Sequence, residues 1–198
     1  MKKRKIGLFG GTFDPIHFGH LNLALTLLET QKLDQVIFCP AHTSPLKKDE
    51  PPSFPAEARA AMVALAIEPI KEFLLLDWEI SRPAPSFTID TVRYLLTQKE
   101  YSSAQLHLIL GEDSVQTLER WKEVDELLKI APPLIGSRVG HLKAQLSPKL
   151  SKVVEAGLVR IPTMEVSSTE IRRRLKEHKY CGHLVPAKVL EYIYNLNG

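Results

Sequence analysis

The sequence contains little sulfur and no long apolar stretch. Only two cysteines, Cys39 and Cys181, occur in 198 residues, and they lie far apart in the chain. A disulfide framework is therefore not expected. The basic start, residues 1–5, precedes a run broken by glycines, and no apolar run reaches about 18 residues. We expect neither a secretion signal nor a membrane span. We also expect a cytoplasmic location.

The chain also has little excess charge and no internal boundary. Its 26 Lys and Arg against 23 Asp and Glu give a net charge of +3, which suits anionic nucleotides but is too small to indicate nucleic acid. No repeat, low-complexity stretch or Pro/Gly/Ser-rich linker divides the sequence. We expect one domain over residues 1–198, and the sequence leaves a homo-oligomer open.

Short apolar runs alternate along the chain with helical patterns. The predicted strands are residues 5–9, 35–39, 73–78, 106–110, 134–135 and 158–161. The predicted helices cover residues 21–28 and 55–67, part of 81–96 with Ser86 or Thr88 as its cap, part of 166–175, and a last stretch from about Pro186. This order predicts an α/β fold: a single Rossmann-like domain with a mostly parallel sheet flanked by helices and a small C-terminal helical part. Ligands of such sheets lie at the carboxyl ends of the strands.

The most informative segment is residues 7–20, GLFGGTFDPIHFGH. Gly10 and Gly11 lack a Cβ, so the backbone after the first strand can turn and lie close to a ligand. Thr12 adds a hydroxyl donor, and residues 14–15 form an Asp-Pro turn. The following helix N-terminus supplies N–H groups and the positive end of its dipole. The segment therefore predicts an anion site.

Two histidines stand at the start of this helix. His17 and His20 are three residues apart, so they lie on the same side of a helical turn and can face one polyphosphate. Each could instead be an ordinary surface or core histidine. A zinc site is not favoured, because no Cys or further His follows at ligand spacing and two ligands rarely hold the metal. We expect no protein metal site.

The segment resembles the signature of the nucleotidyltransferase superfamily, HxGH after a glycine-rich strand end, and its GGTFDP resembles the form in bacterial nicotinate-nucleotide adenylyltransferases. The resemblance implies transfer of the adenylyl group of ATP to nicotinate mononucleotide, giving nicotinate adenine dinucleotide and pyrophosphate in NAD biosynthesis. It also implies a set of ATP-binding residues. These are Gly10, Gly11, Thr12, Phe13, His17 and His20.

A second phosphate-binding segment lies about 150 residues later. Ser167, Ser168 and Thr169 stand at a predicted helix start, where hydroxyl and backbone groups can donate to phosphate. The guanidinium of Arg172, one helical turn later, adds a positively charged donor that can form two hydrogen bonds. This SSTEIR resembles the family's SSTxIR. The neighbouring arginines, 173–174, are interpreted as a solvated face. The fold should bring both motifs to one triphosphate.

Three further segments resemble the family's mononucleotide-binding parts. APSFT at 84–88 resembles APSYT, GEDS at 111–114 resembles GxDS, and Trp121 stands where the family places an aromatic that stacks on the pyridine ring. The alternative for Trp121 is an interior anchor. In the long loop, SPLK departs from the family's PPHK and keeps only the lysine. The resemblance implies that this substrate is bound by Lys47, Ser86, Phe87, Thr88, Gly111, Asp113 and Trp121.

The implied reaction is an in-line displacement at the α-phosphorus of ATP. The second pKa of a phosphate monoester is about 6, so the attacking oxygen is mostly ionised at neutral pH and needs no general base. Cations and N–H donors must stabilise the growing charge. The candidate catalytic residues are His17, His20 and Arg172, with Lys47 as a further cation. Mg²⁺ arrives with ATP, which supplies most of its ligands.

Other functions remain open at this point. Pantetheine-phosphate adenylyltransferases and glycerol-phosphate cytidylyltransferases share the first motif but usually differ at the second. Nicotinamide mononucleotide could replace the nicotinate nucleotide, and the chain could be a non-catalytic nucleotide-binding module that keeps the fold. A dehydrogenase is disfavoured, because residues 10–13 do not supply the GxGxxG spacing.

Overall fold

The computed structural model describes residues 3–43, 45, 51–83, 85–137 and 146–196. The strands are β1 Lys5–Gly11, β2 Gln35–Pro40, β3 Phe73–Leu75, β4 Gln105–Gly111, β5 Pro133–Ser137 and β6 Leu158–Arg160. The helices are α1 Phe18–Thr30, α2 Ala56–Ile67, α3 Thr88–Thr97, α4 Glu112–Val115, α5 Val124–Ile130, α6 Pro148–Ala156, α7 Ser168–Lys176 and α8 Ala187–Leu196. A 3₁₀ turn, Leu118–Arg120, precedes α5.

The six strands form one parallel sheet in the order β3-β2-β1-β4-β5-β6. In the pairs that β4 makes, Ile6 lies beside Leu106 and Ile109 beside Leu134. The strand order reverses between β1 and β4, the place where such sheets bind their ligands. Central strands read as nearly continuous apolar runs, because helices cover both faces of a parallel sheet. The predicted α/β, Rossmann-like fold is confirmed.

Several local predictions are wrong. The third strand ends at Leu75 rather than at residue 78, and α5 and α6 lie where no helix was predicted. Neither Ser86 nor Thr88 caps α3: Phe87 holds the N-cap position, and no side chain bonds there. In the part of the chain that is described, no helix is long and apolar enough to cross a membrane.

Residue contacts group the chain into two compact units. The sheet unit comprises Met1–Gly10, Leu23–Ile37 and Phe87–Thr163. Its core includes the fully buried Ile6, Val92 and Leu106. That the chain is one domain stays a prediction.

The motif unit comprises Gly11–Asn22, Phe38–Ser86 and Met164–Gly198. Its core is built where α2 packs on α8, with Met62, Val63 and Ile193 fully buried. The two motifs that the sequence predicts to bind phosphate belong to this unit, apart from the strand that leads into the first.

Candidate active site

The loop between β1 and α1 takes its unusual backbone at an unexpected residue. Gly10 and Gly11 are the last two residues of β1, so the first strand is two residues longer than predicted. The positive φ of the loop, 49°, belongs to Phe13, and a Cβ on Gly11 would lie 2.9 Å from the Phe13 ring. A Cβ on Gly10 would meet nothing within 4 Å. Gly11 is thus needed by packing, whereas Gly10 faces open space.

His17 and His20 cap the first turn of α1. His17 precedes the first helical residue, and its Nδ1 accepts the backbone N–H of His20 at 3.4 Å. In return, Nδ1 of His20 accepts the backbone N–H of His17 at 3.3 Å. This reciprocal pattern is a capping box built from two imidazoles, and it satisfies N–H groups that a helix start leaves unpaired.

The two imidazoles stack on each other. Their ring centroids are 3.7 Å apart and the ring planes differ by 21°, while Phe13 contacts the His20 ring edge-on at 5.1 Å. A Cβ on Gly19 would lie 3.1 Å from the His17 ring and 2.9 Å from Val166. The glycine inside HxGH therefore makes room for the histidine ring and for the residue before the second motif.

Both histidines are neutral at pH 7 in this structure. Burial lowers the pKa of His17 to about 4, opposed in part by a backbone hydrogen bond. Burial, followed by the positive charge that His17 can carry, lowers the pKa of His20 well below its ordinary value. Because Nδ1 of each ring accepts a backbone N–H, the ring proton belongs on Nε2. Each ring of the pair therefore carries its N–H on Nε2.

The second motif begins α7 as the sequence predicted. Ser167 is its N-cap residue, and its hydroxyl oxygen accepts the backbone N–H of Glu170 at 3.2 Å. The Ser168 hydroxyl donates to the carbonyl of Pro15 at 2.9 Å. This bond joins the second motif to the first across 153 residues. The Ser168 hydroxyl therefore donates its proton to a backbone carbonyl of the protein and not to a ligand.

Arg172 makes a second connection between the motifs. Its Nη1 donates to the backbone carbonyl of Asp14 at 2.7 Å and lies 3.5 Å from the Asp14 carboxylate, while Nη2 donates to the Thr169 hydroxyl at 3.2 Å. Two bonds between the motifs, from Ser168 and from Arg172, meet the expectation that the fold brings them together. Arg172 is thus tied to the loop that leads into the histidine pair.

The other arginines of α7 differ from each other. Arg173 is exposed and pairs with Glu170 and Glu177, as the solvated-face interpretation predicted. For Arg174 that interpretation is wrong, because its guanidinium donates to the carbonyl of Tyr180 at 2.9 Å and 3.3 Å.

Ser86, a predicted mononucleotide residue, belongs to the motif unit. Its hydroxyl oxygen accepts the backbone N–H of His42 at 3.2 Å, and its own N–H donates to the carbonyl of Thr43. Lys47, the predicted cation of the long loop, lies outside the described residues. Among the residues that are described, no three His, Cys, Asp or Glu side chains are grouped as metal ligands.

The remaining predicted mononucleotide residues lie in the sheet unit. Trp121 follows the 3₁₀ turn and is half-buried, and its stacking role stays a prediction. Its neighbour Lys122 places Nζ 4.7 Å from the Phe87 ring centroid and pairs with the Asp90 carboxylate at 3.0 Å and 3.2 Å. Phe87, Lys122 and Asp90 thus form one cluster, and the Trp121 indole N–H lies 3.5 Å from the Thr117 hydroxyl oxygen.

Three more predicted residues lie near the starts of the helices that follow. Gly111 ends β4 and is the N-cap of α4, where a Cβ would meet nothing within 4 Å. Asp113 is exposed in the first turn of α4, and Thr88 is the first residue of α3.

Two residues of this region were missed by the sequence interpretation. Asp14 was interpreted only as a turn residue, yet its buried carboxylate accepts the backbone N–H groups of Ser53 and Phe54 at 2.8 Å and 2.9 Å. Arg59 is fully buried and donates only to backbone carbonyls. The available signal was an arginine among the alanines of a helix in which Glu57 is the other charged residue.

Comparison with known proteins shows which family this chain resembles. The family model described as cytidylyltransferase-like matches residues 8–174. A "Probable nicotinate-nucleotide adenylyltransferase" of Methylacidiphilum infernorum is 39% identical over 189 residues, which cover 96% of this chain and 89% of the relative. A protein of the same name from Oceanobacillus iheyensis is 36% identical over 190 residues, covering 96% of this chain and 94% of the relative.

Solved structures share the fold at lower identity. Plasmodium falciparum nicotinic acid mononucleotide adenylyltransferase, solved in complex with NaAD, has a TM-score of 0.76 to this chain at 19% identity. The match covers 98% of this chain and 96% of that one. The same enzyme in complex with APC gives a TM-score of 0.72 at 18% identity, with the same coverage.

Proposed function

Because the chain belongs to the cytidylyltransferase-like family and, within it, to the nicotinate-nucleotide adenylyltransferases, we propose that it transfers the adenylyl group of ATP to nicotinate mononucleotide. The products are nicotinate adenine dinucleotide and pyrophosphate. Nearly full-length identity of 36% and 39% to relatives of that name supports the assignment.

One observation carries the proposal: Arg172 donates a hydrogen bond to the backbone carbonyl of Asp14, and Asp14 lies three residues before His17, the first of the two stacked imidazoles. A helix start with two Nε2–H donors and an arginine tied to the same loop can contact neighbouring phosphates of one triphosphate. A guanidinium has five N–H donors. The bonds to Asp14 and Thr169 orient the group and leave donors for phosphate oxygens.

His17, His20 and Arg172 act by stabilising charge. The phosphate of the mononucleotide attacks the α-phosphorus, the bond to the pyrophosphate oxygen breaks, and the leaving pyrophosphate takes that electron pair. No side chain forms a covalent bond. Neutral imidazoles donate N–H groups to oxygens that gain charge, and Arg172 supplies a fixed positive charge. The substrate is ATP with its bound Mg²⁺, whose ligands are largely phosphate oxygens and water.

The nicotinate nucleotide is assigned to the residues that remain. Trp121 offers a π-face for the pyridine ring, and Lys122, which lies over the Phe87 ring, offers a cation. Gly111, whose missing Cβ faces open space, allows close approach of a ligand to the backbone. Ser86, Thr88, Asp113 and Lys47 complete the proposed set.

A pyrophosphate-release assay tests the proposal. ATP and CTP are each combined with nicotinate mononucleotide, nicotinamide mononucleotide, phosphopantetheine and glycerol phosphate. We expect the highest kcat/KM with ATP and the nicotinate nucleotide. A preference for CTP, or for an acceptor without a pyridine ring, would reassign the chain within the superfamily. No release with any pair would favour a non-catalytic nucleotide-binding module.

A further inference from the structure

Arg59 is a charged side chain in the interior of the motif unit. It lies in α2, only 1% of its surface is exposed, and burial lowers the pKa of its guanidinium. Its four hydrogen bonds all go to backbone carbonyls. The acceptors are Thr12 at 2.6 Å, Ala41 at 2.7 Å, His42 at 2.9 Å and Phe54 at 3.1 Å.

These carbonyls come from three separate parts of the chain. Thr12 is in the first phosphate motif, Ala41 and His42 follow β2, and Phe54 precedes α2. The planar fork of an arginine can serve several acceptors at once, whereas a lysine ammonium is a point charge on a flexible stem. One guanidinium therefore fixes the motif loop and both ends of the 41–54 connection to each other.

The connection continues from Arg59 to Ser86. The peptide group between Ala41 and His42 is held at both sides: its carbonyl accepts from Arg59, and its N–H donates to the Ser86 hydroxyl oxygen. The Ser86 N–H then donates to the carbonyl of Thr43. A continuous path of hydrogen bonds thus runs from Thr12 through Arg59 to Ser86.

Asp14 supports the same arrangement from the other side. Its carboxylate accepts the N–H groups of Ser53 and Phe54, while Arg59 holds the Phe54 carbonyl. The negative charge of Asp14 also favours the charged form of Arg59. The motif loop and the end of the 41–54 connection are therefore tied by two charged groups of opposite sign.

We propose that Arg59 is a positioning residue that couples the ATP loop at Thr12 to the mononucleotide side at Ser86. The inference rests on the proposed function, since it takes Thr12 as an ATP-binding residue and Ser86 as a mononucleotide-binding residue. Arg59 touches neither substrate. It holds the Thr12 carbonyl, and so sets the direction of the next N–H in the loop, while the Ala41–His42 peptide transmits the same constraint to the Ser86 hydroxyl.

Substitution with lysine tests this role, because Arg59→Lys keeps the charge and removes the fork. A lysine ammonium cannot serve all four carbonyls at once, so KM for both ATP and nicotinate mononucleotide should rise by about tenfold. We expect kcat to change less. Arg4→Lys is the matched control, because Arg4 bonds only surface side chains and should keep both KM values. If Arg59→Lys is folded and the KM rises for only one of the two substrates, or for neither, the inference is overturned.

Hydrogen exchange on the wild-type protein gives a test that needs neither turnover nor a variant. ATP alone should slow exchange in peptides that carry the amides of His42 and Ser86, as well as in residues 12–20. Protection of residues 12–20 without any change at His42 and Ser86 would overturn the coupling while leaving the proposed function intact. If ATP protects no segment and no pyrophosphate is released, both are wrong.

Discussion

The two units hold their predicted site residues by different means. In the motif unit, the histidine pair, Arg59 and Asp14 bond to backbone groups and are mostly buried. In the sheet unit, Phe87 is contacted by Lys122, whose ion pair with Asp90 joins side chains that are about 40% exposed.

This difference corresponds to two tasks. Charge stabilisation in phosphoryl transfer requires donors fixed before the substrate arrives, and buried bonds to backbone provide that. Exposed ion pairs are screened by water and salt and contribute little. We therefore expect substitutions in the motif unit to have large effects on turnover and those in the sheet unit to have smaller effects on affinity.

The largest effect is expected for His20→Ala. Removing one positioned donor to a developing charge typically costs a factor of about 10²–10³ in kcat, and the Kd for ATP should change much less because the donor acts mainly in the transition state. Single-turnover rates with saturating ATP measure the first quantity, and equilibrium titration the second. His183→Ala, an exposed histidine outside both motifs, should keep wild-type rates. Unchanged turnover in His20→Ala would remove His20 from the mechanism.

The buried histidine also predicts a pH dependence of stability. The pKa of His17 is about 4 in the folded protein and ordinary when unfolded, so the unfolded state binds the proton first as the pH falls. Above pH 6.5 the His17 side chain is mostly neutral in both the folded and the unfolded state, so it does not change the free energy of unfolding with pH. Between pH 6.5 and 4 it should lower the free energy of unfolding by about 3 kcal/mol. Urea unfolding across this range, compared with His17→Asn, measures the effect, and identical pH profiles for the two proteins would contradict it.

Arg172→Ala should reduce kcat/KM for ATP by a factor of about 30–100, the loss of one charged hydrogen-bonding group. Steady-state kinetics provide the measurement. Arg173→Ala is the matched control, since that arginine is on the same helix and pairs only with glutamates in the described structure. Equal losses in both variants would mean that general positive charge on α7, rather than the geometry of Arg172, accounts for the effect.

A smaller effect is expected in the sheet unit. Trp121→Ala should raise KM for nicotinate mononucleotide by about tenfold, the usual size of a lost aromatic contact, with KM for ATP unchanged. Trp78→Ala is the control for loss of an indole: Trp78 contacts Arg82 in the motif unit and is not a predicted substrate-binding residue, so both KM values should stay unchanged. If ATP rather than the mononucleotide binds more weakly, the stacking role belongs to another residue.

The smallest effect is expected for Lys122→Met. The pair with Asp90 and the contact with Phe87 are both partly exposed, so the free energy of unfolding should fall by about 1 kcal/mol or less, and less still at high salt. Denaturant unfolding at two salt concentrations checks this. Lys149→Met removes a comparable exposed pair with Asp125. A loss in Lys122→Met that is large and independent of salt would show that this cluster is as firmly held as the motif unit.

Much of the fold was predictable because its signals are local. The apolar run that became β4 and the Ser167 cap of α7 follow from the residues themselves. Helix α5 was missed, because its N-cap residue Glu123 has a positive φ of 51° rather than a usual cap sequence. The capping box of His17 and His20 was missed because imidazoles are not the residues expected in that pattern.

Contacts between distant segments account for the other omissions. The loop strain lies at Phe13 and not at the glycines, because the Phe13 ring packs where a Gly11 side chain would be. Arg59 stands in an apolar helix, and its carbonyl partners are up to 47 residues away. Pattern analysis identifies which residues can bind phosphate, but the groups that hold them in place are determined by tertiary packing.

A crystal structure with Mg²⁺ and a non-hydrolysable ATP analogue tests the central claim most directly. We predict that Nε2 of His17, Nε2 of His20 and the Arg172 guanidinium each lie within about 2.7–3.2 Å of oxygens on the same triphosphate. A triphosphate bound away from the imidazole pair, with Arg172 still contacting only Asp14 and Thr169, would contradict the account.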